Sequence, residues 1–219
     1  MVETSESPPP QATSPFALTD ERRDRRFAAT ILDLGRRLGH QWLAGYDLAS
    51  GETLPVASSH RREAVLLEGA AAKAAMDPHR RLVLHINRPS SRSFSTADLV
   101  ALAGSPGIVA LIAHGHDGTT YAAARSGTVV APMRLLEVDA MVAPIAWDGL
   151  AYLARAGVIT AAEADRLAAH VVNMAFANGG AIAYDVRWSI AMERRIRAIE
   201  TPLEGVVGVS VLRREKMDG

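Results

Sequence analysis

The chain has 219 residues, 48% hydrophobic and 22% charged, with 24 basic against 24 acidic side chains and no cysteine. This balance fits a globular chain rather than a disordered or fibrous one, and a formal net charge of zero gives no global pull toward nucleic acid or anionic membrane. Without cysteine there is no disulfide, thiolate ligand or cysteine nucleophile, so a metal site would have to use His, Asp, Glu, Asn or water.

Residues 1–18 are rich in Pro, Ser, Thr and Glu and are expected to form a disordered tail. The opening "MVETSESPPPQATSP" has neither the basic nor the apolar region of a signal peptide. No run reaches the roughly 18 apolar residues of a membrane span, so a cytoplasmic protein is expected. Thr19 and Asp20 can cap a helix through "ERRDRRFAATILDLGRRLG", where Phe27, Ile31, Leu34 and Leu38 recur at helical spacing before Gly39. Its arginine run reads as a solvated face rather than a phosphate site. "QWLAGYDLASGETLPVAS" reads as a hairpin turning at Ser50-Gly51. "HRREAVLLEGAAAKAAMDPH" reads as a helix ended by Asp77-Pro78, and "RLVLHI" as a buried strand. "STADLVALAG" has Ser95 at the N-cap and Asp98 three residues on, a capping-box pattern, and ends at Gly104. "GIVALIAHGHDGTTYAAAR" is a second hairpin, turning at Asp117-Gly118.

From about residue 132 the pattern becomes helical. "WDGLAYLARAGVI" is followed by "TAAEADRLAAHVVNMAFAN", with Thr160 and Glu163 in capping positions, and then by "AIAYDVRWSIAMERRIRAIE" up to Pro202. "EGVVGVSVLRRE" is expected as a last strand. Leu167, Val171 and Met174 form an apolar stripe suited to a core or to a helical interface, so a homodimer is one expected assembly. Arg187, Arg194, Arg195 and Arg197 read as a solvated basic face. The expected fold is α+β: a mixed or antiparallel sheet flanked by helices over residues 19–131, with a mainly helical extension over 132–219. Glycine-rich nucleotide loops and the G-x-S-x-G elbow are absent from the sequence.

The stretch with most chemistry is "LHINRPSSRSFSTADL", residues 84–99. His85 at a strand end and Asp98 in a first helical turn are two metal-ligand types on rigid elements, and Ser95 can donate to a developing oxyanion. Zinc hydrolases hold about three protein ligands and a water, whose proton passes to a nearby carboxylate. The stretch resembles the signature of the JAB/MPN (JAMM) metalloprotease superfamily, particularly its RadC-like and phage- or toxin-associated bacterial branches. That pattern is H-x-H-P, a short polar loop, then S-x-x-D, with the Ser eight and the Asp eleven residues after the second His. Counted from Asn87, Ser95 falls at eight and Asp98 at eleven. The "SFSxxDL" ending, and a later strand pair with "DG" before Tyr121, fit the phage-associated members; the resemblance covers roughly residues 40–125. It implies an α+β domain, zinc as cofactor, metal positions at His85, Asn87 and Asp98, Ser95 at the oxyanion, and ancestral peptide or isopeptide hydrolysis. It also aligns Gln41, six residues before Asp47, with the catalytic Glu of the family.

Two of these positions depart from the pattern. Asn87 stands in place of the second His, with the proline displaced by one, and Gln41 is an amide that accepts no proton at neutral pH. The expectation is a degenerate domain, weak or inactive as a hydrolase, acting in binding or assembly with a protein or peptide. Neither a membrane nor a nucleic acid is an expected partner. Two alternatives stay open. One is an active zinc peptidase in which His114 or His116, two apart on one strand face, supplies the missing ligand, with His40, Glu52 or Glu63 as base. The other is an interaction protein that works through its C-terminal helices. The plainest reading of the loop itself is that Ser95 and Asp98 cap a helix and His85 is a satisfied strand-end histidine.

Overall fold

A computed structural model describes residues 14–58, 67–126 and 130–218, with 212–218 as backbone only. The Asp20 side chain accepts from the N–H groups of Arg22 and Arg23 and so starts helix α1 (Glu21–Leu38), which Gly39 closes in the left-handed conformation. Strands β1 (Leu43–Asp47) and β2 (Thr53–Ala57) form the first hairpin. Helix α2 (Gly69–Met76) stops at Asp77, and β3 (Leu82–Arg88) is buried along its whole length. Helix α3 (Thr96–Gly104) begins on the Ser95/Asp98 capping box, and β4 (Ile108–Gly115) with β5 (Thr120–Arg125) makes the second hairpin. The chain continues through α4 (Pro132–Arg155), α5 (Ala161–Asn178), β6 (Ile182–Arg187), α6 (Ile190–Ala198) and α7 (Glu200–Asp218).

The fold is α+β, as expected: a six-stranded mixed sheet flanked by helices, ordered β2-β1-β3-β4-β5-β6. Among the described strands, β3 and β4 alone pair in parallel, across the connection that contains α3; every other pair is antiparallel. One face of the sheet (Leu84, Ile86, Leu111, Tyr121) packs into a large core with Leu99, Leu135, Leu150, Val171 and Val207 of the helices. On the other face, Tyr46, Val83, Ile112 and Ala124 form a smaller cluster against Phe27 of α1. The larger core runs from Leu43 to Val207, so it continues across the expected boundary at residues 131–132. No helix among the described residues is long and apolar enough to cross a membrane.

Four local expectations are corrected. Residues 182–187, read as helical, form a strand at the sheet edge: Ile182, Tyr184 and Val186 turn to the large core while Ala183 joins the α1-side cluster, a period of two. "EGVVGVSVLRRE", expected as a strand for its β-branched residues, lies within α7. There Leu203, Val206, Val207 and Ser210 recur at helical spacing and are buried, so tertiary packing overrides the local preference. Pro202 sits in the first turn of α7, where its missing N–H costs nothing, and opens this helix rather than ending the one before. Within the expected tail, Pro15–Leu18 forms a 3-10 turn with Pro15 buried and Phe16 against the α1-side cluster. The segment 59–66, including the candidate base Glu63, lies outside the described residues.

The Thr160/Glu163 capping box that starts α5 also fastens α6. Glu163 accepts from Arg195 at 2.5 and 3.1 Å, and Arg195 reaches the Val158 carbonyl at 2.6 Å. The Arg195 hydrogen bond, opposed by partial burial, pulls the Glu163 carboxyl down to about 2. A lowered folded-state pKa gives stability that is present above the unfolded value of 4.5 and lost as pH falls toward 2. Glu163→Gln is therefore expected to cost about 1–2 kcal/mol at pH 7 after allowance for solvent screening. In urea titrations its deficit relative to the parent should shrink steadily below about pH 4.5; a constant deficit would mean that the charge is not what the pair contributes.

Candidate functional site

Strand β3 decides where the predicted site residues go. Its alternation turns Leu82, Leu84 and Ile86 toward the large core, and Arg88 follows the same parity to meet Asp98 of α3. Val83, His85 and Asn87 turn toward α1. His85 and Asp98 are therefore addressed to opposite faces of the sheet. Asp98 accepts from the backbone N–H of Ser95 at 2.7 Å and from its hydroxyl at 2.6 Å, and it pairs with the Arg88 guanidinium. Ser95 and Asp98 do come together, as a helix cap anchored to Arg88. The zinc set implied by the resemblance, His85 with the Asn87 position and Asp98, does not converge. Among the described residues, no group of three or more His, Asp or Glu side chains is placed to hold a metal ion.

On the α1 face, His85 belongs to a different constellation. Its Nε2 is 3.1 Å from Oδ1 of Asp24, and its Nδ1 is 3.0 Å from Nε2 of His114. The far nitrogen of His114 makes a long, 3.5 Å approach to the Thr120 hydroxyl. The two imidazoles stack nearly parallel with centroids 5.4 Å apart, and Phe27 and Tyr46 flank His85 at 5.4 and 6.0 Å. The Asp24 contact lies within ion-pair distance but is not aligned as a hydrogen bond, so the proton positions on the two rings are not fixed by it.

Burial alone would raise the pKa of Asp24, but the His85 contact and hydrogen bonds from Thr19 (2.5 Å) and Tyr46 (2.9 Å) hold it below the usual carboxylate value. Burial, reinforced by the neighbouring His85 and opposed by Asp24, pushes His114 down to about 3, so this ring is neutral near pH 7. Asp24 and His114 both line a cavity of about 270 Å³ together with Thr19, Arg25, Thr120 and Arg187. The Arg187 guanidinium lies over the Phe16 ring, 4.0 Å from its centroid.

Asn87 is occupied by backbone. Its Oδ1 accepts from the Trp42 N–H at 2.5 Å, and its Nδ2 donates to the His40 carbonyl at 3.1 Å and lies 3.2 Å from Nε2 of His116. It thus ties the connection between α1 and β1 to the central strand. Gln41, in the position of the family base, is 1% exposed, and its Oε1 has no hydrogen-bond partner among the described residues. Such an orphan costs about 1–3 kcal/mol. Of the other candidate bases, Glu52 is paired with Arg80 at 2.5 Å. The proposed histidine substitutes divide: His114 meets His85, whereas His116 meets Asn87.

Sequence reasoning missed Asp24 and Gly35. Both were signalled by the stripe of α1, because 24, 27, 31 and 35 fall on one helical face and two of those four residues are not apolar. A Cβ on Gly35 would lie 1.9 Å from Nδ2 of Asn87 and 3.0 Å from Nε2 of His116. The glycine is what lets α1 settle over the Asn87 amide. Comparison with family models, with curated proteins and with solved structures finds no match to this chain.

The clash and the helix propensity oppose each other at Gly35, which makes a sharp test. Alanine is better than glycine in a helix by about 1 kcal/mol, whereas displacing a buried amide from its partners costs about 1–3 kcal/mol for each polar group left unpaired. Gly35→Ala is expected to lower stability by roughly 2 kcal/mol, read as a lower urea midpoint at unchanged slope. A raised midpoint would show that Asn87 is not held as described.

Proposed function

We propose that the chain is a JAB/MPN-like domain that has given up metal-dependent hydrolysis and acts by binding a protein or peptide. The observation that carries this reading is the division of the loop's functional groups by β3. His85 is engaged by Asp24 and His114 under α1, and Asp98 by Arg88 and Ser95 on the other face. Uniting them around one ion would mean dismantling two buried polar clusters and rebuilding the start of α3; stripping one partner from a buried ion pair alone costs about 3–5 kcal/mol. The binding role draws support from apolar side chains left uncovered on the C-terminal helices. Trp147 and Tyr152 of α4 are 45% and 64% exposed, and Val209 of α7 is 49% exposed. Tyr152 and Val209 border an open groove of about 390 Å³ between these helices. Exposed apolar groups such as Tyr152 and Val209 beside one groove favour protein contact.

A second reading is favoured by one distance. His85 and His114 approach to 3.0 Å, close to the separation of two nitrogen ligands that each lie roughly 2.0–2.1 Å from a shared zinc. An altered metal site would use that pair, without Asp98.

One experiment separates the readings: metal analysis of the full chain after zinc loading and desalting, alongside cleavage of fluorogenic peptide substrates. The expected outcome is far less than one zinc per chain and no zinc-dependent cleavage. One tightly held zinc per chain, lost in both His85→Ala and His114→Ala together with measurable cleavage, would establish the altered site. Loss of zinc in His85→Ala and Asp98→Ala instead would restore the family's own site.

A further inference from the structure

A second buried histidine lies outside the site described above. His170 of α5 is 5% exposed, and its Nδ1 lies 2.9 Å from the Tyr184 hydroxyl. That hydroxyl is 2.8 Å from Oγ of Ser93, and Ser93 Oγ accepts from Nδ2 of Asn173 at 2.8 Å. Ser93 accepts from the Asn173 amide, and because a hydroxyl both donates and accepts, the Ser93–Tyr184 and Tyr184–His170 contacts each admit either direction. In both arrangements His170 is held through Nδ1. Burial holds the ring down at about 4 and the Tyr184 hydroxyl well above its usual value, so the array is uncharged near neutral pH.

His170 Nε2 has no protein partner among the described residues. The ring lines a cavity of about 390 Å³ at the junction of α5, β6, α6 and α7. Its walls include Met174, Leu203 and Trp188, whose ring stands edge-on to His170 with centroids 4.9 Å apart. Glu200 and Glu204, one turn apart on α7, line the same cavity, and neither has an ion-pair partner among the described residues. This volume falls within the range of small-molecule sites, roughly 300–1,000 Å³. A side chain needed only to fill the core there would be apolar; instead a four-residue hydrogen-bond chain holds an imidazole at the cavity wall with one ring nitrogen left for a ligand.

We infer that this cavity binds a small amphipathic cation: an apolar or aromatic body, a carbonyl-type acceptor for the His170 Nε2–H, and an ammonium group for Glu200 and Glu204. The Trp188 indole adds an aromatic surface that suits both the body and the cation. With its proton on Nε2, His170 supplies a donor without charge, so selectivity for a cation rests on the two glutamates. The inference does not depend on the JAB/MPN reading, because none of its residues belongs to the 84–99 loop except Ser93.

The test uses the full chain, calorimetric titration and benzoylcholine as probe, since this ester combines an aromatic ring, a carbonyl and a quaternary ammonium. Saturable one-site binding is expected, about tenfold tighter than for the uncharged isostere 3,3-dimethylbutyl benzoate. Glu200→Gln with Glu204→Gln should abolish that preference, and His170→Phe should weaken both compounds while leaving the difference between them. Should His170→Phe fail to fold, the glutamate pair, both exposed, still decides the matter. Absence of saturable binding, equal affinity for ester and isostere, or a preference that survives the double substitution would each overturn the proposal.

Discussion

Strand β3 runs through the middle of the sheet with both faces covered, so each polar side chain it carries must be satisfied within the layer it meets. Three such residues, His85 at its middle and Asn87 and Arg88 at its C-terminal end, lie along it. The pleat sends the first two under α1 and the third under α3, and each recruits its own partners. Asp24 and His114 answer His85, the backbone around residues 40–42 answers Asn87, and Asp98 answers Arg88. The seat of α1 follows from this. A helix that must present a carboxylate to His85 and a bare backbone to Asn87 has little freedom to rotate or slide.

The same constraint explains why the loop admits two readings. A serine followed three residues later by aspartate is the tail of the JAB/MPN pattern, and it is also a capping box. Both chemistries ask for the same residues at the same spacing, so the sequence cannot separate them. The structure shows the cap in full, with reciprocal Ser95 and Asp98 hydrogen bonds, and assigns the spare capacity of Asp98 to Arg88. Caps, hairpins and the buried strand were legible because they are written in neighbouring residues: Asp20 and Gly39 around α1, Gly118 in the second turn, Thr160 with Glu163. Where long-range packing decides, local reading failed. The β-branched run in α7 is helical because its apolar residues meet α4 and α5, and β6 is a strand because the β5 edge is there to pair with it. Asp24 was hidden for a related reason. It stands within an arginine run that reads as solvent-facing, and only the stripe it shares with Phe27 and Ile31 places it inward.

The two faces of the sheet share a design. Each holds a buried histidine in a chain of polar contacts, His114 beyond His85 and Asp24 on one side and His170 beyond Tyr184, Ser93 and Asn173 on the other, and burial keeps both rings neutral near pH 7. Each ends beside a cavity, of about 270 Å³ at His114 and about 390 Å³ at His170. A neutral imidazole beside a cavity can donate or accept a hydrogen bond without carrying charge into the protein interior.

We propose that His85 is held by its protein partners, Asp24 and His114, rather than by a metal. Long-range proton–nitrogen spectra of the histidine side chains, recorded before and after one equivalent of zinc, test this most directly. The His85 and His114 ring signals should be left unchanged by zinc. Zinc-induced shifts of His85 accompanied by shifts of the Asp98 carboxyl carbon would contradict it.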